Sequence, residues 1–374
     1  MRRSVLKLSF ATLVATSSFI ALGFSPPGGV ENTSKSLNYK NWGLVNSEAK
    51  SHISALDAWK IEEGKQNIIV AVIDTGIDSS HRDLAKNIWH EARESKDKTD
   101  TYGWNFVTDK SNPIDDHGHG THVAGIIGAI SDPKNGVSGV VHNVSIMSVK
   151  YYSDANPGSV NLRNTVKAIN YAVDHGARII NYSGGGPEFS EDEYLAIKKA
   201  EAKGILFVAA AGNEHQNTDL VENYYYPSAY RLTNIISVAA TDIHNNLLPS
   251  SNWGKSRVDV AAPGENIYST LPNGKYGYMS GTSQATAFVT GMAALLLSQN
   301  PALTPVELKD LIMASVDHLP QLQGKLATGG RVNAYSALLA LKNRPLTPKA
   351  VMVERTLSVP TELTRAPGAD LQVQ

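Results

Sequence analysis

The stretch NIIVAVID, residues 67–74, sets six apolar residues in unbroken succession and then stops on an aspartate. A strand with one wet face alternates apolar and polar side chains. A run with no alternation suits a parallel strand covered on both faces. The same texture returns in VSIMSVK (144–150), ARIINYS (177–183), GILFVAAAGN (204–213) and IISVAATD (235–242), each bounded by Gly, Asn or Asp. Helical patterns lie between these runs. NLRNTVKAINYAVDHGA (161–177) places Leu162, Val166, Ile169, Ala172 and Val173 on one stripe and ends in Gly176. EDEYLAIKKAEAKG (191–204) has acids in its first turn, lysines later and Gly204 at its stop, as the helix dipole and a left-handed C-terminal cap favour. Strand–helix–strand repetition predicts a single α/β domain: a doubly wound, mostly parallel sheet with helices on both faces. Ligands of such sheets bind beyond the carboxyl ends of the strands.

Bulk properties narrow the function. Of 374 residues, 42% are apolar and 18% charged, enough for a sizeable core and against global disorder. The net charge is −1 with dispersed lysine and arginine, which argues against nucleic acid as a partner. The absence of cysteine excludes disulfides, zinc–thiolate sites and a cysteine nucleophile. Arg2, Arg3 and Lys7 precede an apolar run from Leu8 to Gly23, short for a membrane span and closed by Gly and Pro. Residues 1–24 therefore read as a signal peptide, with an uncleaved anchor as the rival. RRSVLK also resembles a twin-arginine export signal, so Sec and twin-arginine routes both stay open. The expected organisation is signal 1–24, linker 25–36, domain 37–342 and a Pro-containing tail 343–374. The expected product is a soluble monomer, secreted or periplasmic, with no stable membrane span after signal cleavage.

Three motifs carry chemistry. Asp74 stands at the carboxyl end of a buried strand, in the ligand zone of this architecture, although turn formation would also favour an acid there. DDHGHGTHVAG (115–125) sets His117, His119 and His122 within six positions. Imidazoles so close could face one metal ion, but a zinc-protease helix would read His-Glu-x-x-His, and Gly120 and Thr121 stand between His119 and His122. His119 opens an apolar helix pattern, where an acid on one ring nitrogen would let the other take a proton. His122, among apolar neighbours, fits a core role, and His117 a loop. In YMSGTSQATAFVTGMAALLLSQNP (278–301), Ser283 immediately precedes a strongly apolar helix. A simple N-cap serine and a nucleophile presented by a tight turn both fit that position. The segment GTSQA misses the G-x-S-x-G elbow of α/β-hydrolases.

In the order Asp, His, Ser the motifs form one acyl-transfer constellation. VAVIDTGID, GHGTHVAG and GTSQAT resemble the three signature blocks of the subtilisin-like serine proteases, of the thermitase/subtilisin type. AAAGN (209–213) resembles the family's oxyanion segment and GGRVNAYSAL (329–338) its C-terminal end. The resemblance implies an endopeptidase acting on proteins or peptides, with no cofactor for catalysis. It makes Asp74 the orienting acid, His119 the general base, Ser283 the nucleophile and Asn213 an oxyanion donor beside the Ser283 N–H. Ser183, Gly184 and Gly185 would hold the substrate backbone, with Ala211 and Gly212 as the other wall of the specificity pocket. Relatives commonly carry leucine where Gly184 stands, so a wider pocket is expected. GIDSSHRDL (76–84) resembles a calcium-binding stretch that would make Asp83 a ligand of structural Ca²⁺. SDPKNGVSG (131–139) would supply Asp132 or Asn135, with solvated turns as the alternative. Two departures stand out. Gln284, Ala287 and Phe288 replace the family's usual Met, Pro and His, and no inhibitory prodomain fits between signal and domain.

Overall fold

The computed structural model describes residues 40–46, 50–91, 102–130 and 137–344. The expected signal, linker and all but two residues of the tail lie outside them, as does Asp132. In chain order the elements are α1 (Ala55–Trp59), β1 (Gly64–Asp74), β2 (Gly103–Asn105), α2 (His119–Gly128), β3 (Asn143–Lys150), α3 (Gly158–Asp174), β4 (Ile179–Tyr182), α4 (Glu191–Ala202), β5 (Leu206–Ala210) and β6 (Ile235–Thr241). Then follow β7 (Val260–Pro263), β8 (Ile267–Leu271), β9 (Lys275–Met279), α5 (Thr282–Gln299), α6 (Pro305–Ala314), β10 (Asp317–His318), β11 (Gly330–Arg331) and α7 (Ala334–Lys342).

One sheet runs β10-β11-β7-β6-β5-β4-β1-β3-β2. Its ladders are parallel except for β10 with β11. The unbroken apolar run of β1 is explained by two covered faces. Ile68, Val70 and Val72 would alternate with Ala71 and Ile73 on any strand, and here each set meets its own layer of helices.

 Val70 and Val72 join the apolar layer formed with Val123, Ile126 and Ile127 of α2 and Phe288, Val289 and Met292 of α5. Ala71 and Ile73 join Ala168, Ile169 and Ala172 of α3 and Ala196, Ile197 and Ala200 of α4. Burying both faces removes much of each side chain's area from water, at about 25 cal/mol per Å².

The chain leaves β1 for β3 on one side, then returns to place β4 on the other. That reversal is the topological switch point, where such sheets open a crevice beyond their carboxyl ends. Asp74 closes β1 at that end, and Ser183 and Asn213 follow β4 and β5.

The helix boundaries obey local chemistry. Ser190 caps α4 by accepting from the Glu193 N–H, and Gly204, at φ +73°, follows its end. In α3 the buried stripe is rotated from the expected one. Asn161, Asn164, Thr165 and Ala168 are buried, whereas Leu162 and Val166 are only partly so. The polar residues face inward because they have partners there: Asn161 Nδ2 donates to Ser153 O, Asn164 Nδ2 to Tyr151 O, and Thr165 Oγ1 bonds the Tyr182 hydroxyl.

Candidate active site

Asp74 is 3% exposed at the end of β1. Its Oδ1 accepts the Thr75 N–H at 2.8 Å and lies 2.7 Å from His119 Nδ1. A carboxylate accepts only, so this contact puts the imidazole proton on Nδ1 and leaves Nε2 as the basic nitrogen. His119 is the first residue of α2, after Gly118 at φ +104°, a left-handed conformation that favours glycine. The helix start is drawn close to the strand end. A Cβ on Gly120 would lie 2.1 Å from the Gly76 carbonyl oxygen and 3.2 Å from Asp74 Oδ1.

Burial works against the His119 imidazolium. The Asp74 carboxylate, by charge and hydrogen bond, and then Asp115 outweigh that cost, so the pKa is raised above 6.5. The other two histidines do not converge on it. His122 is wholly buried, its Nε2 set against the carbonyls of Ile267 and Gly277, and burial followed by the His119 charge lowers its pKa to about 3. His117 is exposed on the preceding loop. Among the described residues, no group of three metal-ligating side chains forms.

Ser283 is the second residue of α5 and 7% exposed. Its hydroxyl donates to the Ser183 carbonyl at 3.1 Å. Among the described residues, no hydrogen bond joins this hydroxyl to His119. Catalytic hydrogen bonds are often loose until substrate is bound. Asn213 is tied to the same helix start: its Oδ1 accepts the Thr282 N–H at 2.9 Å and the Thr282 hydroxyl at 3.2 Å. With the oxygen so engaged, Nδ2 remains as a donor with no partner among the described residues. Gln284, buried next to the serine, also has an Nε2 without a partner among the described residues.

The sequence reading missed the scaffold behind His119. Asp115 Oδ1 accepts from the Thr75 hydroxyl and from the N–H groups of His117 and Gly118. Its Oδ2 accepts the N–H and hydroxyl of Thr121. Thr75 Oγ1 in turn accepts the Gly120 N–H at 2.9 Å. The available signal was an acid directly before a helix pattern, the ordinary signature of a capping residue.

Along the glycine segment, Gly186 and Tyr226 exchange both backbone hydrogen bonds, at 3.0 and 2.7 Å. Gly184 and Gly185 make no backbone hydrogen bond among the described residues, leaving polar groups for an added strand. The expected widening at Gly184 is not found. A Cβ there would lie 2.2 Å from the Tyr151 hydroxyl, because that aromatic side chain occupies the space a leucine would need.

The described surroundings of Asp83 also differ from a calcium shell. Its Oδ2 accepts the Tyr276 hydroxyl at 2.7 Å and the Val137 N–H at 3.1 Å, and the Arg82 guanidinium lies 3.5 Å from Oδ1. Calcium takes six to eight oxygens, whereas these neighbours are donors and a cation. The described residues around Asp83 do not by themselves make a calcium shell, and residues 131–136, part of the loop expected to supply further oxygens, lie outside them.

The fold is a doubly wound, mostly parallel sheet whose strand ends and helix starts carry Asp74, His119, Asn213 and Ser283. Residues 65–335 match the subtilase family, and the chain belongs to it. It is 38% identical over 286 residues to thermitase of Thermoactinomyces vulgaris, covering 76% of this chain and 93% of that one. It is 40% identical over 250 residues to the major intracellular serine protease of Bacillus subtilis (strain 168), covering 66% of this chain and 73% of that one. Among solved structures, proteases from Pseudoalteromonas arctica PAMC 21717 align with a TM-score of 0.68 at 25% identity, over 81% of this chain and 97% of the other. The protein is a subtilisin-type serine endopeptidase, a peptide hydrolase.

Proposed function

We propose that Asp74, His119 and Ser283 form the catalytic triad of this peptidase, with Asn213 as the side-chain oxyanion donor. The observation that carries the reading is the 2.7 Å contact between His119 Nδ1 and Asp74 Oδ1, which leaves Nε2 as the basic nitrogen. In the reaction, Nε2 takes the Ser283 hydroxyl proton as Oγ attacks the scissile carbonyl carbon. The developing oxyanion accepts hydrogen bonds from Asn213 Nδ2 and the Ser283 N–H, near the positive end of α5. His119 then gives its proton to the leaving amine, an acyl-enzyme forms on Ser283, and water activated by His119 releases it. Asp74 holds the tautomer and stabilises the imidazolium. Nucleophile, base and oxyanion donors are all protein groups, so the chemistry requires no cofactor.

The substrate would be an extended segment of protein or peptide, paired along Ser183–Gly185 and facing Ala211 and Gly212. A panel of quenched peptides tests the reading: wild type should cleave them, and Ser283→Ala should lose on the order of 10⁶-fold in kcat. Equal turnover by both would refute it.

We also propose export, on the strength of Arg2, Arg3, Lys7 and the apolar run from Leu8 to Gly23. The family alone does not decide location, since one relative is named as intracellular. Among the described residues, no helix is long and apolar enough to cross a membrane. Fractionation of cells with N-terminal sequencing would test export; full-length protein retained in the cytoplasm would contradict it.

A further inference from the structure

We propose that Tyr225 fills the pocket for the side chain on the acyl side of the scissile bond (P1), restricting cleavage to small P1 residues. The inference rests on the reading of Ser183–Gly185 and Ala211–Gly212 as the walls of that pocket. The ring of Tyr225 spans the gap between them. A Cβ on Gly185 would lie 2.4 Å from Tyr225 Cε1 and 2.9 Å from its Cζ. A Cβ on Gly212 would lie 3.0 Å from Tyr225 Cδ2. Cε1 and Cδ2 are opposite corners of one ring, so a single aromatic side chain touches both walls. Both positions are glycine, and the ring takes the space their side chains would have used.

The backbone that carries the ring is held on both sides. Tyr225 O accepts the Ser228 hydroxyl at 2.7 Å and the Ala229 N–H at 2.9 Å, and the next residue, Tyr226, is bonded twice to Gly186. Burial, then the Glu214 carboxylate, push the Tyr225 ionisation upward, so the ring carries a neutral hydroxyl.

The second wall is fixed as well. Asn252 Nδ2 donates to Ala211 O at 2.9 Å and to Glu214 Oε2 at 2.6 Å, while the Asn252 N–H donates to Gly212 O at 2.9 Å. Glu214 is thereby engaged, and a long basic P1 side chain would have to displace the ring to enter. With Tyr151 against Gly184, aromatic side chains occupy the free volume that the glycines would otherwise open.

The test uses the full chain and peptides identical except for Ala, Phe or Lys at P1, with active sites titrated by a fluorophosphonate. Wild type should prefer Ala over Phe and Lys by about 10–100-fold in kcat/KM, the range expected when a packed site must yield to a larger group. Tyr225→Ala should raise the Phe value by about tenfold or more and change the Ala value by less than about threefold. Tyr225→Phe, which keeps the ring, should retain the wild-type ranking. Titration normalises each rate to the folded fraction, so a poorly folding variant does not mimic a change in ranking. A wild type that labels fully but cleaves after Phe or Lys as well as after Ala would overturn the proposal alone. So would a fully titrating Tyr225→Ala with unchanged ranking. Absence of both labelling and cleavage would instead overturn the protease reading, and the proposal with it.

Discussion

His119 must be neutral to accept the serine proton, and Asp74 makes it harder to keep neutral. Its pKa is raised above 6.5, because the carboxylate outweighs the burial cost. Activity requires the deprotonated form, so kcat/KM should fall as pH drops through an apparent pKa above the ordinary histidine value. A pH–rate profile with its acid limb below pH 6 would contradict this. Asp74→Asn should lower that pKa and reduce kcat on the order of 10⁴-fold, the size found for the equivalent exchange in another serine protease. Asn213 has two duties at one amide. Asn213→Ala should lower kcat about 10²–10³-fold, a size carried over from subtilisin, and should also release the Thr282 N–H and hydroxyl. Asn213→Asp keeps an acceptor for Thr282 and loses the donor. It should therefore lose at least as much activity as the alanine variant while melting closer to wild type, as steady-state kinetics and thermal melts on the two variants would show.

At the scale of elements, the start of α2 depends on a carboxylate that touches no substrate. Asp115 accepts five hydrogen bonds from Thr75, His117, Gly118 and Thr121. Asp115→Ala leaves buried donors without partners, and we expect a loss of roughly 2–4 kcal/mol by urea denaturation, with kcat reduced through misplacement of His119. Unchanged stability would show that water replaces the carboxylate. The motif DDHGHGTH left a metal cluster and an acid–base histidine both open, and only its resemblance to a family block singled out His119, which lies 2.7 Å from Asp74. The parallel strands were legible directly, because β1, β3, β4, β5 and β6 are short, mostly apolar runs bounded by Gly, Asn or Asp. Elements defined by distant partners were not. The inward Thr165 of α3 depends on Tyr182, and the short β7, β10 and β11 depend on their neighbours in the sheet. Tyr225 belongs with these, because NYYYPS marks no pocket until its loop is folded against two glycine segments.

For the molecule as a whole, the switch point of one parallel sheet brings together strand ends that lie far apart in sequence, and two helix starts complete the cleft. The same close packing buries a carboxyl group. Glu193 is 2% exposed, with the Tyr230 hydroxyl donating to Oε2 at 2.7 Å, and burial raises its pKa from 4.5 to about 7 against the lowering effect of that bond. Between those values the folded protein holds a proton that the unfolded chain has released. Stability should therefore fall as pH rises from about 4.5 to 7, by about 3 kcal/mol from this group. Glu193→Gln should remove that slope. Urea titrations across this range, on a Ser283→Ala background to prevent self-digestion, would reveal it, and parallel profiles for the two proteins would count against a buried neutral Glu193.

The most direct measurement for the assembled site is the rate at which a fluorophosphonate labels the full chain as a function of pH. The expected result is one adduct, on Ser283, forming at a rate that falls on acidification through a pKa above 6.5 and collapses in His119→Ala. Labelling at another residue, or at Ser283 with a rate independent of pH and of His119, would contradict the account.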